Sequence, residues 1–422
     1  MSDTPSAKLT RRGFLRSVGL LSGGLAASAT PLARGADTPA LRVGLLLPRP
    51  ESDPGLGERL LAGVRLGIRE ASRTGPELRL DLVRDSVAGT PSALASAAGR
   101  MLERDRPDIL VALVGTAALE GLIPLLEKHR LPLLGLTAGT DQPGEIRPHP
   151  LVFLNSLGMW EACWALGQWS AGRLGQRAML ACSFYESGFD HPEAFRLGFA
   201  EAGGTVMEQR VFDVPGRPDT LGSFLEAVER ERPGLVAACC SGEPAAHFAL
   251  RWQRSGLSGQ VPLVGSAGLV EEPPAGRAAA LSSGAWSALS WSPALDLPEN
   301  RSFVNQYVAS EHHLPDAFAV LGFETGVALS RAWAEARGAW PVPESLRAAL
   351  ARSSFQSPRG RWSFDPTTRI SRTPLYLRRG HGSDTRGHSV EAELPVPGMS
   401  AERLAVLRPG PRTGWIDTYL CV

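Results

Sequence analysis

The chain has 422 residues, 44 basic and 43 acidic, with 43% hydrophobic and 21% charged residues. That composition excludes a disordered chain, and a length of several times about 150 residues gives two to three domains as a starting expectation. The basic residues other than Lys8 and Lys128 are all arginine and the formal charge is only +1, so the chain carries no basic footprint for nucleic acid.

The first 36 residues read as an address. Thr10-Arg11-Arg12-Gly13-Phe14-Leu15-Arg16 precedes a mildly apolar, small-residue stretch from Ser17 to Ala29. Ala27-Ser28-Ala29 and Ala33-Arg34-Gly35 both fit a small-x-small cleavage site, which completes the layout of a secretory signal. Arg11 and Arg12 followed by Phe14 and Leu15 resemble a twin-arginine signal. That resemblance implies export of a folded chain by the Tat translocase, cleavage of residues 1–36, and a periplasmic location. A short amphipathic N-terminal helix is the plain alternative. No cysteine lies near the cleavage region, so a lipid-anchored lipoprotein is not expected. Past residue 36 no apolar run approaches the roughly 18 residues of a membrane span.

The hydrophobic period then alternates. Leu41–Pro48 is a short apolar run, hence a buried strand, and Gly57–Ala71 carries apolar residues at helical spacing. Strands at Leu78–Val83, Asp108–Val114 and Leu131–Leu136 follow, separated by helices at Pro91–Glu103 and Ala117–His129. Such alternation implies a parallel sheet covered by helices on both faces. The rhythm restarts with helices at Trp160–Leu174, Pro192–Ala202, Thr220–Arg230 and Pro244–Ser255. Strands at Arg177–Cys182, Thr205–Phe212, Leu235–Cys240 and Val261–Val264 alternate with them, giving a second α/β unit. From Gly284 the pattern changes. A strand-like Gly284–Trp291 leads to helices at Arg301–Glu311, Ala317–Arg337 and Glu344–Ala351, then to extended pieces at Gly360–Phe364 and Thr373–Arg378. Residues 381–422 are polar, Gly- and Pro-rich and weakly patterned, and read as a C-terminal extension.

Phrases spread along the chain carry a family resemblance: LRVGLLLP with Gly57 and Gly63 on the opening helix, Asp85 closing the second strand, and DILVALVGTAALEGLIPLLEKHRLPLLGLTAGT. YESGFD, FAEAGGTV and RPGLVAACCSGEPAAHFALRWQRSGLSGQVPLVGS follow, then ENRSFVNQYVASEHHLPDAFAVLGFETG and SPRGRWSFDP. Each phrase alone is weak, but their order and spacing closely resemble the type 1 periplasmic substrate-binding proteins of the branched-chain amino acid (Leu/Ile/Val-binding) ABC transporter family. The resemblance covers about Leu41 to Arg379. It implies an α/β fold of two Rossmann-like lobes with parallel sheets, joined by three hinge strands. The crossings would fall near Asn155, Trp286–Trp291 and Arg359–Phe364. Lobe 1 would then combine 37–155 with 291–360, and lobe 2 would combine 156–286 with 361–380. A small molecule would be captured in the cleft and handed to the permease of an ABC importer. A soluble sensing subunit for a membrane receptor is the alternative use of the same fold.

Carried over position by position, the resemblance assigns ligand contacts to Thr116, Ala138, Gly139 and Thr140 on lobe 1. On lobe 2 it assigns Trp160, Tyr185, Ser187, Ser241 and Ser266. Hydroxyls and a backbone N–H can hold an anionic oxygen without importing a cation; Thr116 and Thr140 can equally cap their helices. Family members that bind amino acids often place an acid after the strand that is Val261–Val264 here, where this chain has Gly265-Ser266-Ala267-Gly268. Glu271 and Glu272 come later, in a Pro-rich loop, and read as a solvated pair. Trp160, Phe184, Tyr185, Trp286 and Trp291 form either core or a ligand platform. The expected ligand is a carboxylate or amide with an apolar or aromatic body in preference to a free amino acid, because an unpaired buried ammonium is costly.

No HExxH, GxSxG or Walker loop is present, so no catalytic residue is assigned. The eight histidines show no metal-ligand spacing, and no metal or cofactor is expected. Gly55-Leu56-Gly57 hints at a nucleotide-binding oxidoreductase. The third glycine of that fingerprint is Leu60, however, and Pro48–Pro54 loosens the turn. The five cysteines form no CxxC pair and read as buried small side chains, with a strained vicinal bond between Cys239 and Cys240 as the alternative.

Overall fold

The computed structural model describes residues 40–49, 55–87, 90–113, 115–142, 148–214, 216, 218–270, 284–336, 342–381, 388–398, 403 and 407, with the side chains of Thr116 and Ala117 outside that description. The export signal with Arg11, Arg12, Phe14 and Leu15, the pair Glu271 and Glu272, and Cys421 lie outside the described residues.

Five strands form the first sheet: β1 (Leu41–Pro48), β2 (Leu80–Val87), β3 (Ile109–Leu113), β4 (Leu133–Thr137) and β5 (Val152–Ser156). Their order is β2-β1-β3-β4-β5, and every pairing is parallel. β3 and β4 are buried throughout, as a sheet covered on both faces demands of strands reading ILVAL and LLGLT. The connecting helices are α1 (Leu56–Ala71), α2 (Pro91–Arg104), α3 (Thr116–Glu120) and α4 (Ile123–His129). The single helix expected over 117–129 is thus two. Pro124 supplies no N–H, and the chain turns at Gly121 and Leu122 through bonds to Ala118 and Leu119.

The second sheet is larger. Helices α5 (Met159–Arg173), α6 (His191–Glu201), α7 (Thr220–Glu231) and α8 (Gly242–Arg254) alternate with β6 (Arg177–Ser183), β7 (Thr205–Phe212), β8 (Leu235–Cys239), β9 (Leu263–Gly265) and β10 (Trp286–Leu289). The chain then forms α9 (Pro298–Glu311), α10 (Ala317–Ala336), α11 (Val342–Arg352), β11 (Ser354–Ser357), β12 (Gly360–Phe364), β13 (Ser371–Arg372), β14 (Leu375–Gly380) and β15 (His388–Leu394). The seven-stranded order is β15-β14-β10-β9-β8-β6-β7, parallel from β10 to β7 and antiparallel at β14 and β15.

Sequence-distant α10 returns to the first unit by lying on α1. A Cβ on Gly63 would stand 2.0 Å from the Ala319 carbonyl oxygen, and one on Gly322 would stand 2.1 Å from that of Leu60. Two helix backbones approach this closely only where both lack side chains. Arg59 and Asp316, 2.5 Å apart, close one end of the contact, and Asp316 also accepts from the Ala319 N–H at the start of α10.

β10 pairs within the seven-stranded sheet, and the chain leaves that sheet after Leu289, inside the stretch Trp286–Trp291. The stretch 361–380, expected with the second sheet, is divided. β12 pairs with β11 and β13 in a separate three-stranded sheet, and Ile370 bridges Leu154 of β5. The reason is aromatic: Phe364 lies 5.0 Å from Phe153 of β5, and Trp362 is fully buried against Phe355 and Phe364. Only β14 joins the second sheet. The expected extension also starts late, because β15 pairs with β14 and buries His388 and Leu394. One hydrophobic cluster runs from Phe153 through Leu157 and Trp160 to Ala288 and Leu375, so the core is continuous across the connections between the sheets.

Candidate functional site

The strands of a parallel sheet all end at one edge, and the loops beyond those ends are where an α/β sheet binds ligands. On the first sheet that edge carries Gly115, Thr116 and the loop Thr137–Gln142. On the second it carries Ser183–Asp190, Cys240–Ser241 and Ser266–Ala267. The two edges meet: the Gln142 N–H donates to Asp190 Oδ2 at 2.9 Å, a bond between the loop after β4 and the residue that opens α6.

The first edge is shaped by its backbone. Gly139 adopts φ +71°, and a Cβ there would stand 2.2 Å from Ser156 Oγ, so only glycine fits. The carbonyls of Ala138 and Gly139 accept from the N–H groups of Met159 and Trp160, at 3.1 and 2.7 Å. The loop therefore holds the first turn of α5, while Gly139 N–H is taken by Thr137 Oγ1 at 3.0 Å. Thr140 is buried, and its hydroxyl reaches Asp141 only at 3.4 Å. Thr116 is the first residue of α3, at the end of β3. Among the candidates on this edge, Ala138, Gly139 and Thr140 are brought together.

The second edge is built on a buried acid. Glu186 is fully buried; its Oε1 accepts from Ser241 Oγ at 2.5 Å, and its Oε2 lies 2.9 Å from His191 Nε2. This fixes the turn Tyr185–Phe189, in which half-buried Tyr185 sets its ring edge-on to Phe189 at 5.3 Å. Ser187 is exposed and its hydroxyl donates to the Phe184 carbonyl at 2.7 Å, within the turn. Ser266 is buried, and its hydroxyl both accepts from Cys240 N–H and donates to Cys240 O, at 3.2 Å each. Ser241 and Ser266 are thus at the edge, with their hydroxyls engaged in holding it.

Trp160 is buried in the first turn of α5, with its ring 5.0 Å from that of Trp164, and packs in the core. Trp291 is likewise buried and donates from Nε1 to Asn300. Trp286 pairs with Trp169 at 4.8 Å and carries the Arg379 guanidinium over its ring. Of the five aromatics weighed as a platform, Phe184 and Tyr185 are the two on the segment Ser183–Asp190 at the edge.

Cys163, Cys182, Cys239 and Cys240 are buried and none is in a disulfide, so the vicinal bond does not form. A hydrogen bond with Cys182, together with burial, pushes the Cys239 thiol up, and burial pushes Cys163 up, which keeps both in the unreactive thiol form. Burial also pushes Glu161, in the first turn of α5, up to about 7. Among the described residues, no group of three or more His, Cys, Asp or Glu side chains could hold a metal ion, and no helix is long and apolar enough to cross a membrane.

Sequence reasoning passed over Glu186, His191, Asp190 and Gln142. Glu186 and Asp190 lay within the phrase YESGFD, but that phrase does not reveal that Ser241 and Gln142 would be their partners.

A family model described as periplasmic binding protein matches residues 40–384. The chain belongs to the periplasmic binding protein family. It is similar to the Leu/Ile/Val-binding protein homolog 6 of Brucella melitensis biotype 1, at 22% identity over 326 residues, 76% of this chain and 83% of that protein. Among solved structures it is similar to an ABC transporter substrate-binding protein from Sphaerobacter thermophilus, at 24% identity and a TM-score of 0.73, covering 85% of this chain and 98% of the other. A solute binding protein of an ABC transporter from R. palustris, solved in complex with benzoate, shares 24% identity at a TM-score of 0.68, again over 85% and 98% of the two chains. The relatives are named as binding proteins, and the two solved structures as substrate- or solute-binding proteins of ABC transporters.

Proposed function

We propose that this protein captures a small carboxylate or amide with an apolar or aromatic body between its two sheet edges and delivers it to the permease of an ABC importer. The observation that carries the reading is the bond from Gln142 to Asp190, which ties the two edges together across the place where a ligand would lie. One lobe would comprise the five-stranded sheet with α9–α11 and β11–β13. The other would comprise the seven-stranded sheet, and the third crossing would fall at Thr373–Pro374. Thr116, Ala138, Gly139 and Thr140 would hold the anionic end, and Tyr185 would cover the body. Binding would draw the lobes together, because a ligand that touches both favours the arrangement in which both contacts exist.

The ligand class follows from the loop after β9. There Ser266 is committed to the Cys240 backbone and Ala267 offers no polar side chain, so among the described residues this loop brings no carboxylate to an ammonium. Glu186 is engaged by Ser241 and His191, and Asp190 by Gln142. A buried ammonium without a partner is costly, and the benzoate held by the R. palustris relative supports an aromatic acid. A thermal-shift panel of leucine, isobutyramide, benzoate and 4-hydroxybenzoate tests this. The largest shift is expected from an aromatic carboxylate; leucine giving the largest shift with the aromatic acids silent would overturn the ligand class.

The export reading rests on Arg11-Arg12 with Phe14-Leu15. Replacing both arginines with lysine should leave uncleaved precursor in the cytoplasm, and normal export of that variant would refute the twin-arginine route.

A further inference from the structure

Arg359 lies outside the candidate site, yet it is among the most completely engaged side chains of the molecule. It and Glu324 of α10 are both fully buried. Nε and Nη2 donate to the two Glu324 oxygens at 2.8 and 2.6 Å. Nη1 donates to the Ser156 carbonyl at 2.7 Å and to Ser290 Oγ at 2.8 Å, and Nη2 donates to Asn155 Oδ1 at 3.0 Å. Every one of the five N–H donors of a guanidinium therefore has an acceptor. The same hub reaches outward through its backbone: Tyr376 of β14 donates from its hydroxyl to the Arg359 carbonyl at 2.8 Å.

The partners are not a random selection. Asn155 and Ser156 end β5, where the chain leaves the first sheet for α5. Ser290 follows β10, where it leaves the second sheet, and its hydroxyl also donates to the Leu157 carbonyl at 2.7 Å. Tyr376 stands just inside β14, where the chain has re-entered the second sheet. One guanidinium and its backbone thus collect all three connections between the sheets and fasten them to α10.

Stability alone does not account for such a device. A buried ion pair is repaid only when its geometry is complete, and well-packed apolar residues serve stability equally well. What the pair adds is a requirement: its acceptors come from three separate stretches of chain and are all satisfied in one arrangement of those stretches.

We propose that Arg359 is a positioning residue for lobe closure. Its full set of bonds favours the closed arrangement, the one in which Gln142 also reaches Asp190, and each bond lost shifts the ligand-free protein toward open. The proposal rests on the reading of the protein as a closing two-lobed binder. Removing one such bond should move the open–closed ratio about fivefold, the change expected for a single hydrogen bond, and should weaken ligand affinity by a matching loss of the binding-competent fraction.

Single-molecule energy transfer on the mature chain tests it, with dyes attached through click-reactive residues at positions 104 and 231, one on each unit. Ser290→Ala and Tyr376→Phe each remove contacts to one connection and leave the Arg359–Glu324 pair intact. Both should raise the open fraction several-fold without ligand, and saturating benzoate should restore the closed population. Arg352→Ala, which breaks an exposed pair with Glu335, is the control and should leave the distribution unchanged. If the unsubstituted protein closes on benzoate while both variants match it with and without ligand, the role assigned to Arg359 is wrong. If the unsubstituted protein changes with neither benzoate nor leucine, the closing reading itself fails and the hub with it.

Discussion

At the scale of single residues, the cleft is defined by what each side chain is already bonded to. Thr140 is buried, and its hydroxyl makes only a 3.4 Å contact with Asp141, so it has capacity for a ligand oxygen. Thr140→Ala should weaken binding of the preferred carboxylate by about 1–3 kcal/mol, roughly 5- to 150-fold in Kd, with the melting temperature of the ligand-free protein nearly unchanged. Calorimetric titration reads both, and an unchanged Kd would remove Thr140 from the site. Glu161 provides a pH signature. Its carboxyl ordinarily loses its proton near 4.5, and in the folded protein near 7. Between those values the folded state keeps a proton that the unfolded state has released, so stability falls as pH rises from 4.5 to 7. Glu161→Gln should therefore melt above the unsubstituted protein at pH 8 and together with it at pH 4; a gain at pH 4 and none at pH 8 would contradict the burial argument. That Gly139 and Thr140 stand in the loop after β4 could be read from the sequence, because a strand and the loop that follows it are local. Glu186, Asp190 and Arg359 could not, because their partners stand 55, 48 and up to 204 residues away, and nothing in a linear pattern pairs a glutamate with one serine among many.

At the scale of elements, hydrophobic period located the helices and most of the strands, because buried parallel strands and amphipathic helices both write their burial into the sequence, but β5, β11, β13 and β15 were not among the expected strands. It failed where tertiary contacts decide. Pro124 split a helix that periodicity joined, and the aromatic contact of Phe364 with Phe153 sets β12, within its separate three-stranded sheet, against β5. The α1–α10 contact was invisible as a pair, although Gly63 and Gly322 were both in plain sight. It yields a test in which one substitution acts with opposite signs. Gly63→Ala puts a methyl group against the Ala319 carbonyl and should destabilise by about 1–3 kcal/mol through overpacking. Gly99→Ala, inside α2 with nothing within 4 Å, should stabilise by about 0.5–1 kcal/mol through helix propensity. Chemical denaturation measures both; equal effects at the two glycines would mean that the helices do not need their close approach.

At the scale of the whole molecule, two sheets share one continuous apolar core at their connections and meet again through Gln142 and Asp190 at their edges. The loops 138–140 and 185–189 stand at those edges, and among the described residues the loop after β9 brings no carboxylate to receive an ammonium. On the reading proposed above, a ligand would gain affinity by touching both edges at once, and the connections would set how readily the edges meet. The measurement that bears most directly on this is small-angle X-ray scattering of residues 37–422 titrated with benzoate. The radius of gyration should fall and saturate at one ligand per chain, with the benzoate recovered unaltered. Saturable binding at an unchanged radius would place the ligand on one lobe alone and contradict capture between the two.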